Sequence, residues 1–314
     1  MGLTAKRNCP NCGLGVKNSN LEVKAKNPAE NLTLNQLQDF FVGFRKDQCF
    51  FTYYRCLCGI LWCPQYFHQE ALDEIYRNIP ENTLVSGEID SVKTQLGYVD
   101  LIFKMNNIMS PILEVGADIG TLVGEIVDRK PSINAYAIEP NETVLNQLES
   151  RLNTKSNVYS KISEFPISIK PKLIIAVHVI DHLIEPRKYL ENLSSISSLD
   201  VEMFIVVHTE KSLLRNIMKE RWVPFCLQHP QIFNEKTITS LLTATGFKNI
   251  RICKTSNWIS LKQAGKILES ISILPANITS RFPNLAIPIK LGNIAVTAQK
   301  YNFTGPSLKH FYYL

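Results

Sequence analysis

Beyond residue 63 the 314-residue chain has only two cysteines, Cys226 and Cys253, while Cys9, Cys12, Cys49, Cys56, Cys58 and Cys63 crowd into its first 63 positions. Long hydrophobic runs are missing. Stretches such as Leu173 to Val177 are far too short to span a bilayer. The opening Met1-Gly2-Leu3-Thr4-Ala5-Lys6 has neither the apolar core of a secretion signal nor the Ser or Thr at position 6 that myristoylation wants. The expectation is a cytoplasmic protein, and in that compartment clustered cysteines point to metal before disulfides. No internal repeat and no low-complexity tract is visible. Hydrophobic residues at 45% and charged residues at 20% exclude a disordered or collagen-like chain. A net charge of +6 admits an anionic partner, a phosphorylated substrate or a nucleic acid, without selecting one.

Length suggests two domains at about 150 residues each, and the texture divides accordingly. Residues 1–70 hold the cysteines and a run of aromatics. Residues 71–110 read as a helical connection, with Ala71, Leu72, Ile75 and Tyr76 on one face. A second stripe is Val92, Leu96, Val99, Ile102 and Phe103, and Pro80-Glu81-Asn82 and Gly87 separate the two. Over 111–300 short apolar runs alternate with helical patterns. Strands are expected at 112–115, 135–138, 173–179, 201–207, 248–253 and 291–298. Helices are expected at 121–129, 141–152, 186–196 and 237–245. Residues 301–314 are a C-terminal tail. Strands alternating with helices predict an α/β, doubly wound, largely parallel sheet covered on both faces. Two long connections, 208–233 and 255–290, the second with a helix over 261–271, are partly apolar and read as functional lids.

Glu114-Val115-Gly116-Ala117-Asp118-Ile119-Gly120 follows the first of these strands and opens a helix. Glycines there let the backbone approach a ligand, and the helix start offers free N–H groups. Glu139 ends the next strand, 19 residues after Gly120, where a carboxylate can accept both hydrogen bonds of a ribose diol. The bland alternative is a tight strand-to-helix turn with an exposed Glu. The acid inside the first strand, Glu114, suits S-adenosylmethionine (SAM). Asp118 in the loop repels a pyrophosphate and argues against a dinucleotide, whereas a sulfonium tolerates it.

Cys9-Pro10-Asn11-Cys12-Gly13 has the form of a metal knuckle, and Arg55-Cys56-Leu57-Cys58-Gly59 is its partner, one residue tighter. Cys9, Cys12, Cys56 and Cys58 are the expected ligands, with Cys49, Cys63 or His68 as replacements for Cys56. Four thiolates at about 2.3 Å make a closed tetrahedral zinc site with no place for water, so the zinc is structural. The 43 residues between Cys12 and Cys56 are then expected to be a metal-held loop that covers the substrate pocket.

The segment Leu113-Glu114-Val115-Gly116-Ala117-Asp118-Ile119-Gly120-Thr121-Leu122 resembles the first motif of class I SAM-dependent methyltransferases. With the cysteine cluster it is similar to the branch that carries an N-terminal zinc-binding module and includes sugar C-methyltransferases. Ala137-Ile138-Glu139-Pro140-Asn141 resembles the second-strand motif. Val177-His178-Val179-Ile180-Asp181-His182-Leu183-Ile184-Glu185-Pro186 resembles the fourth-strand segment. His229-Pro230-Gln231-Ile232-Phe233 resembles the turn before the fifth helix, and Thr245-Gly246-Phe247 that helix's stop. The resemblance implies a Rossmann-like methyltransferase sheet in which Glu114, Gly116 and Gly120 line the methionyl side of SAM. It also places Glu139 on the ribose and His178 along the cofactor, with Ser163 or Glu164 standing in at the adenine.

Methyl transfer to carbon or a hydroxyl needs a base, and His229 and His182 are the candidates. The acid that accompanies the turn histidine in the sugar enzymes is Gln228 here. Those enzymes also have a further C-terminal domain, for which this layout leaves no room. The leading expectation is methylation of a small, anionic metabolite such as a nucleotide-linked sugar. The alternatives are RNA methylation, with Tyr53, Tyr54 and Trp62 beside Arg55 stacking bases, and a non-catalytic binding protein. Membrane association is not expected, and the sequence leaves the oligomeric state open.

Overall fold

A computed structural model describes residues 3–41, 48–78, 88–154, 156–270, 274–275, 278–283 and 285–301. The seven strands of its main sheet are β1 (Ile112–Val115), β2 (Ala135–Ile138), β3 (Val158–Tyr159), β4 (Leu173–Val177), β5 (Glu202–His208), β6 (Phe247–Lys254) and β7 (Asn293–Lys300). Their order is β3-β2-β1-β4-β5-β7-β6. All neighbouring pairs are parallel except those of β7, which runs antiparallel to both β5 and β6. The doubly wound α/β expectation therefore holds, with one reversed strand near the edge.

Both faces of the sheet are buried, which is why β4 reads as an unbroken apolar run. Strand alternation sends Leu113, Val115, Ile174, Met203 and Ile205 to one side. There they pack on Leu190 and Leu193 of one helix (Pro186–Ile196) and on Ile238 and Leu241 of another (Glu235–Ala244). Ile112, Ile175, Phe204 and Val206 face the other side, against Val99 and Ile102 of helix Glu88–Met105 and Leu122 and Ile126 of helix Thr121–Arg129.

Several boundaries move for local reasons. The expected helix over 141–152 begins only at Leu145, because Asn141 Oδ1 accepts from the N–H (3.0 Å) and hydroxyl (2.7 Å) of Thr143 and closes a turn first. Strand β4 stops two residues early, as His178 adopts a left-handed φ of 54°. The helix expected from Thr237 starts at Glu235 because Asn234 caps it: Asn234 Oδ1 accepts from Thr237 N (3.0 Å) and Thr237 Oγ1 from Asn234 N (2.9 Å). In helix Glu88–Met105 the buried stripe is Asp90, Thr94, Tyr98, Val99 and Ile102, while Val92 and Leu96, expected on it, are half-buried. Phe103, expected among the buried residues, is 37% exposed with the Arg129 guanidinium over its ring. The separation expected at Pro80-Glu81-Asn82 and Gly87 lies outside the described residues, as do Ile271 and the tail beyond Tyr301.

The stretch between Cys12 and Cys56 is not a loop. It includes strand Ser19–Val23, helix Leu34–Phe41 and strand Tyr53–Cys56, and Phe41, Phe50, Phe51, Tyr53, Tyr66 and Phe67 fill a core of their own. Nor is the connection over 208–233 a lid. Its Trp222, Phe225 and Leu227 belong to that same core, and Gln231–Ile232 adds an antiparallel strand to Leu61–Trp62. The cysteine-rich part had apolar surface to bury, and this connection covers it. Arg55 reinforces the join, pairing with Glu22 and buried Glu210 and donating to the Gly59 carbonyl at 2.9 Å. The second connection forms a two-stranded antiparallel ribbon, Asn257–Ser260 with Ala286–Ile289. It is tied to helix Glu88–Met105 by Trp258 N donating to Thr94 Oγ1 at 2.8 Å.

Candidate functional site

Strand β1 delivers Glu114 into the interior, 3% exposed, where its carboxylate accepts from Val123 N at 3.0 Å in the first turn of the next helix. The loop that follows needs three left-handed residues, Gly116 (φ 69°), Asp118 (φ 48°) and Gly120 (φ 80°). Glycine takes such angles freely, and Asp is among the few others that visit them, so Asp118 supplies the conformation of the glycine it replaces. At Gly116 a Cβ would lie 2.6 Å from Val179 Cγ2. Only glycine lets the loop come this close to the end of β4.

Glu139, at the end of β2, turns back into this loop. Its two oxygens accept from Asp118 N and Asn141 N, each at 2.8 Å. Burial, and then the nearby Asp118, raise its pKa; Glu114 is pushed well up by burial and by the charges of Glu139 and Asp118. Three carboxyl groups, of Glu114, Asp118 and Glu139, thus gather around one glycine turn, surroundings compatible with a sulfonium or ammonium group.

Strand ends β4 and β5 meet at a second cluster, which gathers four of the chain's six histidines. Asp181, fully buried, accepts through Oδ2 from His208 Nδ1 (2.7 Å) and His208 N (3.0 Å). Its burial would raise the carboxyl pKa, but His178 and His208 outweigh it and hold it well below the usual range. His182 and His229 face each other Nε2 to Nε2 at 3.0 Å. Burial lowers both imidazoles, His182 to about 4 and His229 well below its ordinary value. His178 Nε2 lies 3.4 Å from both the Tyr98 hydroxyl and Asn293 Nδ2. Because His178 and Val179 are consecutive and Val179 abuts Gly116, this cluster adjoins the glycine loop.

Of the residues expected from sequence, Glu114, Gly116, Gly120, Glu139, His178, His182 and His229 thus lie around one edge of the sheet. Ser163 is exposed, within the turn Ile162–Glu164 after β3. The alternative, Glu164, is committed to that turn, accepting from the N–H groups of Ser160 (3.0 Å) and Lys161 (3.3 Å). Sequence reading missed Asp181, His208 and Gln231. Buried Gln231 donates from Nε2 to the carbonyls of Ile180, Asp181 and Leu183 and accepts from Arg7 at 2.8 Å. The adjacent Asp181-His182 pair was a usable signal. His208 had none, being one more residue at a strand end.

The four expected cysteines also come together, with ligand atoms within 4.8 Å of one another. The Sγ–Sγ separations are 3.7 Å for Cys9–Cys58 and 3.5 Å for Cys12–Cys56. Tetrahedral thiolates around zinc at about 2.3 Å stand about 3.8 Å apart, so the donor set fits that ion. Each knuckle closes the same way, Gly13 N donating to Cys9 O and Gly59 N to Cys56 O, both at 2.8 Å. Both glycines are left-handed (φ 78° and 95°), and the tighter spacing of the second knuckle shows as a closure one residue shorter. The thiol of Cys9 stabilises the Cys58 thiolate, whose pKa is drawn down to about 5. Cys49, Cys63 and His68 stand outside the cluster; Cys63 donates instead to the Phe51 carbonyl at 3.5 Å.

The family described as a methyltransferase domain matches residues 68–252, more than half of the chain, and the chain belongs to it. It is an S-adenosylmethionine-dependent methyltransferase of class I. No curated protein matches the chain. Among solved structures, a SAM-dependent methyltransferase from Archaeoglobus fulgidus is 19% identical with a TM-score of 0.46, covering 69% of this chain and 97% of that one. The plantazolicin methyltransferase BpumL, in complex with SAH, is 16% identical with a TM-score of 0.46, covering 73% and 94%. A SAM-dependent methyltransferase from Thermotoga maritima, described as a possible histamine N-methyltransferase, is 12% identical with a TM-score of 0.44, covering 68% and 92%. No helix among the described residues is long and apolar enough to cross a membrane.

Proposed function

We propose that this methyltransferase acts on a small, anionic metabolite such as a nucleotide-linked sugar. In this reading residues 1–70 form a zinc-binding module, 71–110 a helical connection and 111–300 the catalytic domain. Glu114, Gly116 and Gly120 line the methionyl part of SAM, Glu139 receives the ribose hydroxyls, His178 borders the cofactor and Ser163 is the stand-in at the adenine. Zn2+ in the Cys9, Cys12, Cys56 and Cys58 site is structural.

The observation that carries the reading is the junction of the carboxylate-ringed glycine loop with the histidine cluster through His178-Val179. SAM supplies an electrophilic methyl group on a sulfonium. The chain must align an acceptor with that methyl group and exclude water. His182 and His229 are the candidates to take the acceptor's proton; burial keeps both imidazoles neutral and so able to accept one, while it lowers their basicity. The cluster of Cys9, Cys12, Cys56 and Cys58 supports the resemblance to the sugar C-methyltransferase branch. RNA methylation has less support, since Tyr53 and Trp62 are fully buried and not free to stack bases.

Calorimetry with SAM, followed by labelled methyl transfer into fractionated small-molecule and RNA pools, tests this reading. Binding of SAM with label in an anionic small-molecule fraction is the expected result. Label in RNA alone overturns the substrate class, and SAM binding without any transfer favours a non-catalytic binding protein.

A further inference from the structure

The histidine cluster holds more polar groups than proton transfer requires, and two of its buried atoms, His178 Nδ1 and Asp181 Oδ1, have no hydrogen-bond partner. Asp181 Oδ1 is buried and has no hydrogen-bond partner, while Oδ2 of the same carboxylate is occupied by His208. An orphaned carboxylate oxygen in the interior calls for a donor or a cation.

Two imidazole nitrogens are available to the same space. His229 Nδ1 lies 2.7 Å from the Pro224 carbonyl, which can only accept, so Nδ1 carries the hydrogen. In neutral His229 this leaves the Nε2 lone pair bare and aimed at His182 Nε2, 3.0 Å away. Two nitrogens at about 2.1 Å from one metal and at right angles to each other stand about 3.0 Å apart. A hydrogen bond from His182 Nε2–H to His229 Nε2 also fits that distance, but it leaves Asp181 Oδ1 unaccounted for. Ligand atoms of Asp181, His182 and His229 all lie within 4.8 Å of one another.

We propose that Asp181, His182 and His229 bind a divalent transition-metal ion, separate from the four-cysteine site. Two imidazoles and one carboxylate leave coordination positions open, and this donor set suits zinc, manganese or ferrous iron. The surroundings have the form of a supported metal site. The Pro224 carbonyl fixes the His229 tautomer, and His208 holds the far oxygen of Asp181. Gln231 clamps the carbonyls of residues 180, 181 and 183. Metal binding stands on these groups alone. With an ion bound, the Nε2 lone pairs of His182 and His229 would be occupied, so the open positions would take an oxygen donor of the methyl acceptor and favour its deprotonation in place of an imidazole base, a role that rests on the proposed methyl transfer.

Cobalt(II) added to the metal-stripped full-length protein separates the two centres. The cysteine site gives thiolate-to-metal charge-transfer absorption, whereas the Asp181 site gives ligand-field bands without it. The expected result is one equivalent lacking the thiolate signature. His182→Gln, His229→Gln and Asp181→Asn should each weaken that equivalent at least about 100-fold and leave the thiolate band intact, which also reports that the chain is folded. His208→Gln, which removes a group that holds the carboxylate, should weaken it about 10- to 100-fold.

Wild-type protein whose bound cobalt is all thiolate-ligated overturns the proposal, whatever the variants do. So does a second equivalent indifferent to His182→Gln and His229→Gln. SAM calorimetry on the same samples keeps the two readings apart. SAM binding without the nitrogen–oxygen site removes the metal and leaves the proposed function. The metal without SAM binding does the reverse.

Discussion

Tyr53 of the N-terminal sheet donates its hydroxyl hydrogen to the carbonyl of His229, 176 residues further along the chain. Both residues are buried. Tyr66 donates likewise to the Leu227 carbonyl, and Cys63 N to the Pro230 carbonyl at 2.9 Å. The cysteine-rich part thus holds the backbone on both sides of His229, the proposed acceptor-side histidine. Tyr53→Phe should cost about 1–2 kcal/mol of stability, the range for a buried hydrogen bond whose acceptor is left behind. Turnover should fall while SAM affinity stays unchanged. Urea unfolding, calorimetry and a kcat measurement check this together, and an equal loss of SAM affinity would count against a positioning role.

Gly116→Ala places a methyl group 2.6 Å from Val179 Cγ2 at a φ of 69°. The backbone strain alone costs about 1–2 kcal/mol, and Val179 must shift. SAM affinity should drop at least tenfold with the far-UV circular dichroism preserved. Gly116→Arg should abolish binding.

Glu139 gives the proposed cofactor site a pH dependence of definite sign. The ionised carboxylate is the form that accepts from loop N–H groups and ribose hydroxyls, and burial raises its pKa above 4.5. SAM affinity should therefore weaken as pH falls through that raised value, at higher pH than an ordinary glutamate would dictate. Glu139→Gln should bind more weakly and lose this acid-side dependence. Calorimetric titrations of both proteins across the acid range decide it; parallel pH profiles would exclude Glu139 as the responsible group.

Removing zinc with a strong chelator should release about one ion from the cysteine site and lower Tm by at least about 5 °C, the shift that about 2 kcal/mol produces in a domain of roughly 150–250 residues. Trp62, buried beside Cys56 in the same core cluster, should report the change in its fluorescence. Cys56→Ser should reproduce the effect without chelator. An unchanged Tm after verified metal loss would assign the cysteines no structural role.

Much of the α/β core was legible because parallel strands and their covering helices carry their own periodicity. Helices Thr121–Arg129 and Pro186–Ile196 and strand Ala135–Ile138 stand where the pattern put them. Boundaries failed where a side chain competed for the backbone, as Asn141 and Asn234 do. The glycine loop, Glu139 and the paired cysteine knuckles were legible too, since each is a local arrangement of residue types.

Sequence by itself determined the class of fold and located the glycine loop, and it named four thiols as the first choice for one ion while leaving Cys49, Cys63 or His68 open in place of Cys56. It could not determine that Trp222, Phe225 and Leu227 complete the N-terminal core, because Phe225 packs on Phe50 and Tyr53, some 170 residues away along the chain. Nor could it bring His208 to Asp181, or leave Asp181 Oδ1 without a partner. Those groups lie on different strand ends and turns, and only the parallel register of β4 and β5 sets them side by side. Local chemistry is written in spacing along the chain, whereas the convergence of four histidines on one carboxylate is a property of the sheet edge.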